Sequence, residues 1–375
     1  MLPLSSLKRR VCGIRLNSYP RFAWSSSMDR SFAFNDQTRQ HALTTSPFSS
    51  VALSAMNVAF VGLGNMGLRM ALNLAKPRDD DPSLPPLRLT VYDMKESNVS
   101  SFFRQVESIE GLADSMSPSA SRDLAALGES NPDFVITSLP TCEASEAVVG
   151  SIVRSLPSVD GCTFVDTSTI SPNTSKKLHH LVSSVSARHE YVDAPVSGGV
   201  GGATDATLTF MVGCSSPETF SSVQPLLRRM GKKAIPCGGP GSGSAVKLCN
   251  NAALAAQMLG ICEAMNLGEA LGVDPTVLAG VMNVSTAKCW SGEVNNPHPA
   301  ASRHIGSGTS ANEYVGGFAS SLMLKDLNLA VDAGEEEGLA LPVAGLTRDL
   351  YRLANMHGYG HQDFGVMLQF LRGSQ

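Results

Sequence analysis

None of the eight cysteines falls in a CxxC pair or a cluster with histidine, so the chain offers no zinc-type ligand set and no redox dithiol. Cys142, Cys162, Cys214, Cys249 and Cys262 sit in apolar stretches, where a free thiol behaves as a small hydrophobe. A reducing compartment fits that usage. No apolar run is long enough to span a bilayer, and no segment repeats with a fixed period, so no membrane span and no repeat array is expected. Charge is also sparse, at 17% of 375 residues against 43% hydrophobic. That balance describes a globular chain of about two domains, each with its own core.

Acids are nearly missing from the first segment. Residues 1–56 hold seven basic residues (Lys8, Arg9, Arg10, Arg15, Arg21, Arg30 and Arg39) against Asp29 and Asp36, a net +5 that leaves −9 for residues 57–375. The segment is Ser-rich and lacks the apolar block of a secretory signal, which is the composition of an organelle transit peptide. A disordered tail, or a chain that starts at Met56, remains the alternative. The net-negative body argues against a nucleic-acid partner.

From Asn57 short β-favouring runs alternate with helical segments: NVAFVGLG, LRLTVYD, DFVITSLP, CTFVDTSTI, EYVDAPVSGG, TLTFMVG and KKAIPCGG. Runs of this kind predict a mostly parallel sheet with crossover helices. After the Gly/Pro cluster at 238–243 nearly everything reads helical, apart from a polar stretch, 291–316, expected to be a long loop. The fold class is therefore α/β, of Rossmann type over 56–240, followed by an all-α domain over 241–375.

Gly62-Leu63-Gly64-Asn65-Met66-Gly67 fits G-x-G-x-x-G between a strand and a helix. Gly62 permits the tight turn, Gly64 lets a pyrophosphate approach the backbone, and Gly67 lets helix and strand pack closely. The helix N-terminus offers free N–H groups to the phosphates. Asp93 closes the second strand, where a carboxylate accepts from ribose hydroxyls, so NAD is favoured over NADP. The spacing from Gly64 to Asp93 exceeds the usual value of about 20 residues, and an insertion at 77–88 accounts for the excess.

Two further stretches carry polar groups. Ser197-Gly198-Gly199 offers unshielded N–H groups beside a hydroxyl, which suits a small anion such as a carboxylate; a flexible hairpin is the equal alternative. In GSGSAVKLCNNAALAAQML, Lys247 and Asn251 are i and i+4 on one helix face. A lysine kept in a water-poor cleft can serve as proton donor and acceptor. Taken alone, that helix reads more simply as a snorkelling lysine with capping asparagines. The cofactor motif and the SGG turn in the same chain reverse the preference.

With VAFVGLGNMGLRMALNL, FVDTSTISP, DAPVSGGVGGATDATLTFMVG, GSGSAVKLCNN, KCWSGEVNNPHP and GGFASSLMLKDLNLA, the chain resembles the 3-hydroxyisobutyrate dehydrogenases of the β-hydroxyacid dehydrogenase superfamily, most of all their eukaryotic mitochondrial form. The resemblance runs from about Asn57 to the C-terminus. It implies Lys247 as the catalytic acid/base, Asn251 holding the substrate, and Ser197, Gly198 and Gly199 gripping its carboxylate. It also implies that Leu63, Asn65, Met66, Leu139, Pro140 and Thr169 line the cofactor site, and that Lys325 reaches toward it with Phe318 and Asp326 close by. The implied reaction is NAD-dependent oxidation of 3-hydroxyisobutyrate to methylmalonate semialdehyde in valine breakdown, in the mitochondrial matrix, by a homodimer or homotetramer. No metal is implied.

Three positions depart from the family pattern: Ala206 and Cys214, each a small residue for glycine, and Ala144 near the cofactor. The polar stretch 300–313 is expected to be a surface embellishment. Rival readings are a glyoxylate or succinic semialdehyde reductase that uses NADPH, a 6-phosphogluconate dehydrogenase, and a non-catalytic dinucleotide-binding module.

Overall fold

The computed structural model describes residues 55–77, 86–109, 118–157 and 160–373. The leader read in residues 1–55 falls outside them except for Ala55, as do residues 78–85 of the 77–88 insertion.

β1 (Met56–Val61), β2 (Leu87–Tyr92), β3 (Ser119–Ala120), β4 (Phe134–Thr137), β5 (Thr163–Asp166) and β6 (Glu190–Asp193) run parallel in the order 3-2-1-4-5-6. β7 (Val196–Ser197) and β8 (Leu208–Gly213) extend the sheet, β8 lying antiparallel to β6 and β7, and β9 (Gly231–Gly238) pairs parallel with β8. The strand order reverses between β1 and β4, the crevice where open α/β sheets bind ligands.

Alternation explains the burial of the central strands. Val58 and Phe60 join one apolar cluster while Ala59 and Val61 join the other. The first cluster includes residues of α1 (Gly67–Ala75), α2 (Glu96–Val106) and α7 (Pro217–Met230). The second takes residues from α3 (Leu124–Glu129), α4 (Cys142–Ser155) and α5 (Pro172–Val185). Both faces are covered, as a parallel sheet requires.

The sequence after Gly238 folds as helices around a third cluster. These are α8 (Ser242–Ala270), α9 (Pro275–Val284), α10 (Trp290–Glu293), α11 (Pro299–Ile305), α12 (Ser320–Glu336), α13 (Pro342–Met356) and α14 (Met367–Arg372). None of the helices among the described residues is long and apolar enough to cross a membrane.

Several expectations are corrected. The stretch 291–316 is not one long loop. It carries the end of α10, all of α11 and a 3-10 turn at Ser310–Asn312, with Pro299 at the start of α11 and His298 capping it by accepting from the Ala300 N–H. Four of its polar residues are turned inward: Asn295, Asn296, Ser302 and Ser310 are buried and hydrogen-bonded. The stretch 300–313 thus lies at the surface, with Arg303, His304, Asn312 and Glu313 exposed, but is anchored inward through Ser302 and Ser310. The Gly201-Gly202 pair lies inside a short helix, α6 (Gly199–Thr204), rather than in a hairpin. Cys249 is exposed on α8 rather than packed. Ala206 has φ +53°, a left-handed conformation in which a side chain costs about 1–2 kcal/mol, so more than its size separates it from glycine.

Candidate active site

The turn after β1 has the shape its glycines predict. Gly62 has φ +96°, and a Cβ there would lie 2.3 Å from the Ser138 carbonyl oxygen; a Cβ on Gly67 would lie 1.8 Å from that of Gly62. Gly64 is the opposite case, because a Cβ there meets nothing within 4 Å. The open face lies where a pyrophosphate would approach, and no side chain caps the first turn of α1. Asp93, immediately after β2, holds this turn: Oδ2 accepts from the Leu63 N–H at 2.7 Å and Oδ1 from the Lys95 N–H at 2.8 Å. These groups fit a dinucleotide.

A cavity of about 860 Å³ opens beside this turn. Asn65, Met66, Leu139, Pro140 and Thr169 line it from the sheet side, Ser197, Gly198 and Gly199 from the start of α6, Lys247 and Asn251 from α8, and Lys325 and Asp326 from α12 with Phe318 just before it. Thus residues from six separated stretches of the chain share one space. Gly62, Leu63, Gly64, Gly67 and Asp93 stand behind or beside it, not on its wall.

Lys247 is only 8% exposed. Burial pushes its ammonium below the usual lysine range, Asp326 opposes that shift, and Lys325 adds to it. Asn251, one turn on, donates Nδ2–H to Asp326 Oδ2 at 2.6 Å and accepts at Oδ1 from Asn250 Nδ2 at 3.1 Å. Asn250 therefore orients Asn251, and Asp326, 3% exposed, fixes it from α12. Lys325 Nζ lies 3.4 Å from Asp326 Oδ1 and donates to the carbonyl oxygens of Thr169 at 2.8 Å and Pro140 at 3.4 Å. The helical part is thereby tied to the two loops that follow β4 and β5.

Lys325→Met removes a charge-assisted contact worth about 1.5–3 kcal/mol when unscreened, less at this partly exposed position. The KM for the dinucleotide is expected to rise by about tenfold with little change in kcat. Steady-state kinetics at saturating alcohol checks it.

A buried carboxylate anchors the helix that carries Lys247. Asp193, at the end of β6, accepts from the N–H groups of Gly241 at 2.7 Å and Ser244 at 2.8 Å, an N-terminal cap supplied from the sheet. Burial raises its carboxyl to about 6 against those hydrogen bonds. The Ser244 hydroxyl meets that of Ser175 at 2.9 Å, and Asp166 accepts from the Tyr191 hydroxyl at 3.0 Å and the Ser168 N–H at 2.9 Å. Ser168 Oγ in turn accepts from the Leu139 N–H at 2.8 Å.

Sequence reasoning did not single out Ser168, Trp290, Asn295, Thr309, Asp363 or Phe364, all of which line the cavity. Ser168 adjoins Thr169 and Trp290 lies in the KCW stretch, so a signal existed for both. Nothing in the sequence joins Asp363 to Asn295, because their contact depends on the fold of the intervening loop. Among the described residues no group of three His, Cys, Asp or Glu could hold a metal ion.

A 3-2-1-4-5-6 sheet, an open glycine turn at its switch point and a buried lysine over the same cavity define an oxidoreductase of the nicotinamide-dinucleotide class. Residues 57–239 match the model of the NAD-binding domain of 6-phosphogluconate dehydrogenase, and residues 241–371 match the model described as the NAD-binding of NADP-dependent 3-hydroxyisobutyrate dehydrogenase. The chain is 40% identical over 318 residues to the mitochondrial 3-hydroxyisobutyrate dehydrogenase of Homo sapiens, covering 84% of this chain and 86% of that one. It is 38% identical to the mitochondrial enzyme of that name in Drosophila melanogaster, covering 85% and 90%. A solved Mycobacterium tuberculosis 3-hydroxyisobutyrate dehydrogenase with L-serine superposes with a TM-score of 0.73 at 33% identity, covering 85% of this chain and all of that one. The chain belongs to the 3-hydroxyisobutyrate dehydrogenase family, and its cofactor is a nicotinamide dinucleotide.

Proposed function

We propose that the chain oxidises 3-hydroxyisobutyrate to methylmalonate semialdehyde, with Lys247 as the acid/base and with NAD in preference to NADP. The observation that carries this reading is the buried Lys247 with Asn251 one turn away, facing the same cavity as Ser197, Gly198 and Gly199. The substrate carboxylate binds the Ser197 hydroxyl and the N–H groups at the start of α6, which have no intrahelical partner. Asn251, held by Asp326 and Asn250, orients the substrate hydroxyl toward Lys247. Neutral Lys247 takes the hydroxyl proton; in the reverse direction its ammonium returns it. Hydride acceptance is the chemistry that the bound dinucleotide supplies. Atoms balance with one proton at Nζ and one hydride removed from the alcohol carbon.

Asp93 supports NAD, since its carboxylate suits ribose hydroxyls and repels a 2′-phosphate. The relatives named mitochondrial and the basic, Ser-rich first segment support a mitochondrial protein, in the matrix, acting in valine breakdown. An assay with NAD and a panel of short 3-hydroxy acids tests the activity. NAD-dependent turnover of 3-hydroxyisobutyrate is expected, and none with any 3-hydroxy acid refutes the reading.

A further inference from the structure

Resting on the function proposed above, we infer that Asp363 is a positioning residue that holds the apolar wall of the substrate cavity and so sets which 3-hydroxy acids fit. Asp363 follows α13 and is 1% exposed. Its two oxygens collect three donors from three parts of the chain. Oδ2 accepts from the Phe318 N–H at 2.8 Å; Oδ1 accepts from Asn295 Nδ2 and the Gly365 N–H, both at 2.9 Å. Asn295 passes the tether on, since its Oδ1 accepts from the Thr309 N–H at 3.0 Å. Asp363, Phe318, Asn295 and Thr309 all line the cavity that holds Lys247 and Asn251.

The tether has something to restrain. Between Thr309 and Phe318 the backbone takes positive φ at Glu313 (+51°), Tyr314 (+60°), Gly316 (+85°) and Gly317 (+66°). Strained non-glycine residues persist only where the surroundings over-determine them. The Asp363 N–H donates to the Tyr314 carbonyl oxygen at 2.8 Å, and the Tyr314 hydroxyl donates to that of Pro297 at 2.9 Å. Gly317 packs so closely that a Cβ there would lie 2.2 Å from Asp363 Oδ2.

The loop presents Phe318, whose ring meets Phe364 edge-on at 6.0 Å, while Phe364 stacks on Trp290 at 6.4 Å. Three aromatic rings on the wall of a cavity limit the bulk of an alkyl chain. One methylene more or less in such a pocket changes kcat/KM by about 10–200-fold. A carboxylate buried among backbone donors is thus used to keep that wall in one place, and its effect on the reaction runs through Phe318 and Thr309, not through the reacting atoms.

The test compares wild type with Asp363→Asn and with Gly317→Ala, which keeps the carboxylate but drives a Cβ against its Oδ2 and so displaces the same loop. Read-outs are kcat and KM for 3-hydroxyisobutyrate and for straight-chain 3-hydroxy acids of increasing length, and the dinucleotide Kd by fluorescence quenching. In both variants KM for 3-hydroxyisobutyrate is expected to rise at least about tenfold. The kcat/KM preference over the longer acids is expected to shrink by a similar factor, with the dinucleotide Kd within about twofold of wild type. If Asp363→Asn does not fold, Gly317→Ala decides alone. An unchanged chain-length preference in an active Gly317→Ala variant overturns the inference, as does a uniform loss across all acids together with dinucleotide affinity. A wild-type chain inactive on every acid refutes the proposed function instead.

Discussion

Lys247→Ala is expected to lower kcat by about 10²–10⁴-fold, the contribution of a positioned acid/base, equivalent to about 3–5 kcal/mol of barrier. Dinucleotide affinity should stay within about twofold, because Lys247 holds the reacting proton and not the phosphates or ribose. The pH profile gives a second check. Oxidation needs the neutral amine, so kcat/KM should rise with pH and level off once Lys247 is unprotonated. Burial lowers its pKa from the ordinary 10.5, so the plateau begins below that value. Near-normal turnover in the alanine variant removes Lys247 from the mechanism.

The same residue carries a stability signature of opposite sign. Between the lowered native value and 10.5 the unfolded chain binds more protons than the native one. Stability tied to Lys247 therefore rises with pH across that window, and the ammonium is a cost at neutral pH. Lys247→Met should melt no lower than wild type at pH 7 while losing turnover. A residue kept for packing would show both losses together.

How much of this was legible depended on whether a feature is local. The glycine turn and Asp93 were readable because each glycine answers a local steric demand, and the structure shows those demands at Gly62 and Gly67. The sheet was readable because parallel strands buried on both faces, such as Val58–Val61, are continuous apolar runs. Periodicity placed Lys247 and Asn251 on one face, but it gave no sign of Asp326, 75 residues away, which fixes Asn251. The stretch 291–316 misled for a physical reason. Polarity usually marks a solvated loop, whereas here Asn295, Ser302, Ser310 and Asp363 satisfy one another and the backbone inside the protein. A buried polar network looks like a surface in sequence. Lys325, too, reads as a solvated charge until its contacts with Thr169 and Pro140 are seen.

Asp93→Ala should raise the KM for NAD by about 10²-fold. Hydrogen bonds to a charged acceptor contribute about 1.5–3 kcal/mol each, and the two ribose hydroxyls would lose that acceptor together. The same change removes repulsion against a 2′-phosphate, so the NADP/NAD ratio of kcat/KM should climb at least as far. The carboxylate also accepts from the Leu63 N–H at 2.7 Å, so alanine leaves a buried donor without its partner, at about 1–3 kcal/mol, and lowers Tm. Asp93→Asn separates the two roles. Its one carbonyl oxygen can still accept from Leu63 but no longer also from Lys95, so the turn is kept in part and Tm falls less than in alanine, while the charge that discriminates against phosphate is gone. A higher NADP/NAD ratio in both variants, with the larger loss of Tm in alanine, is the pattern expected of an acid that both selects the ribose and braces the glycine turn. A wild-type preference for NADP, or an unchanged ratio in Asp93→Asn, would leave Asp93 with the bracing role alone.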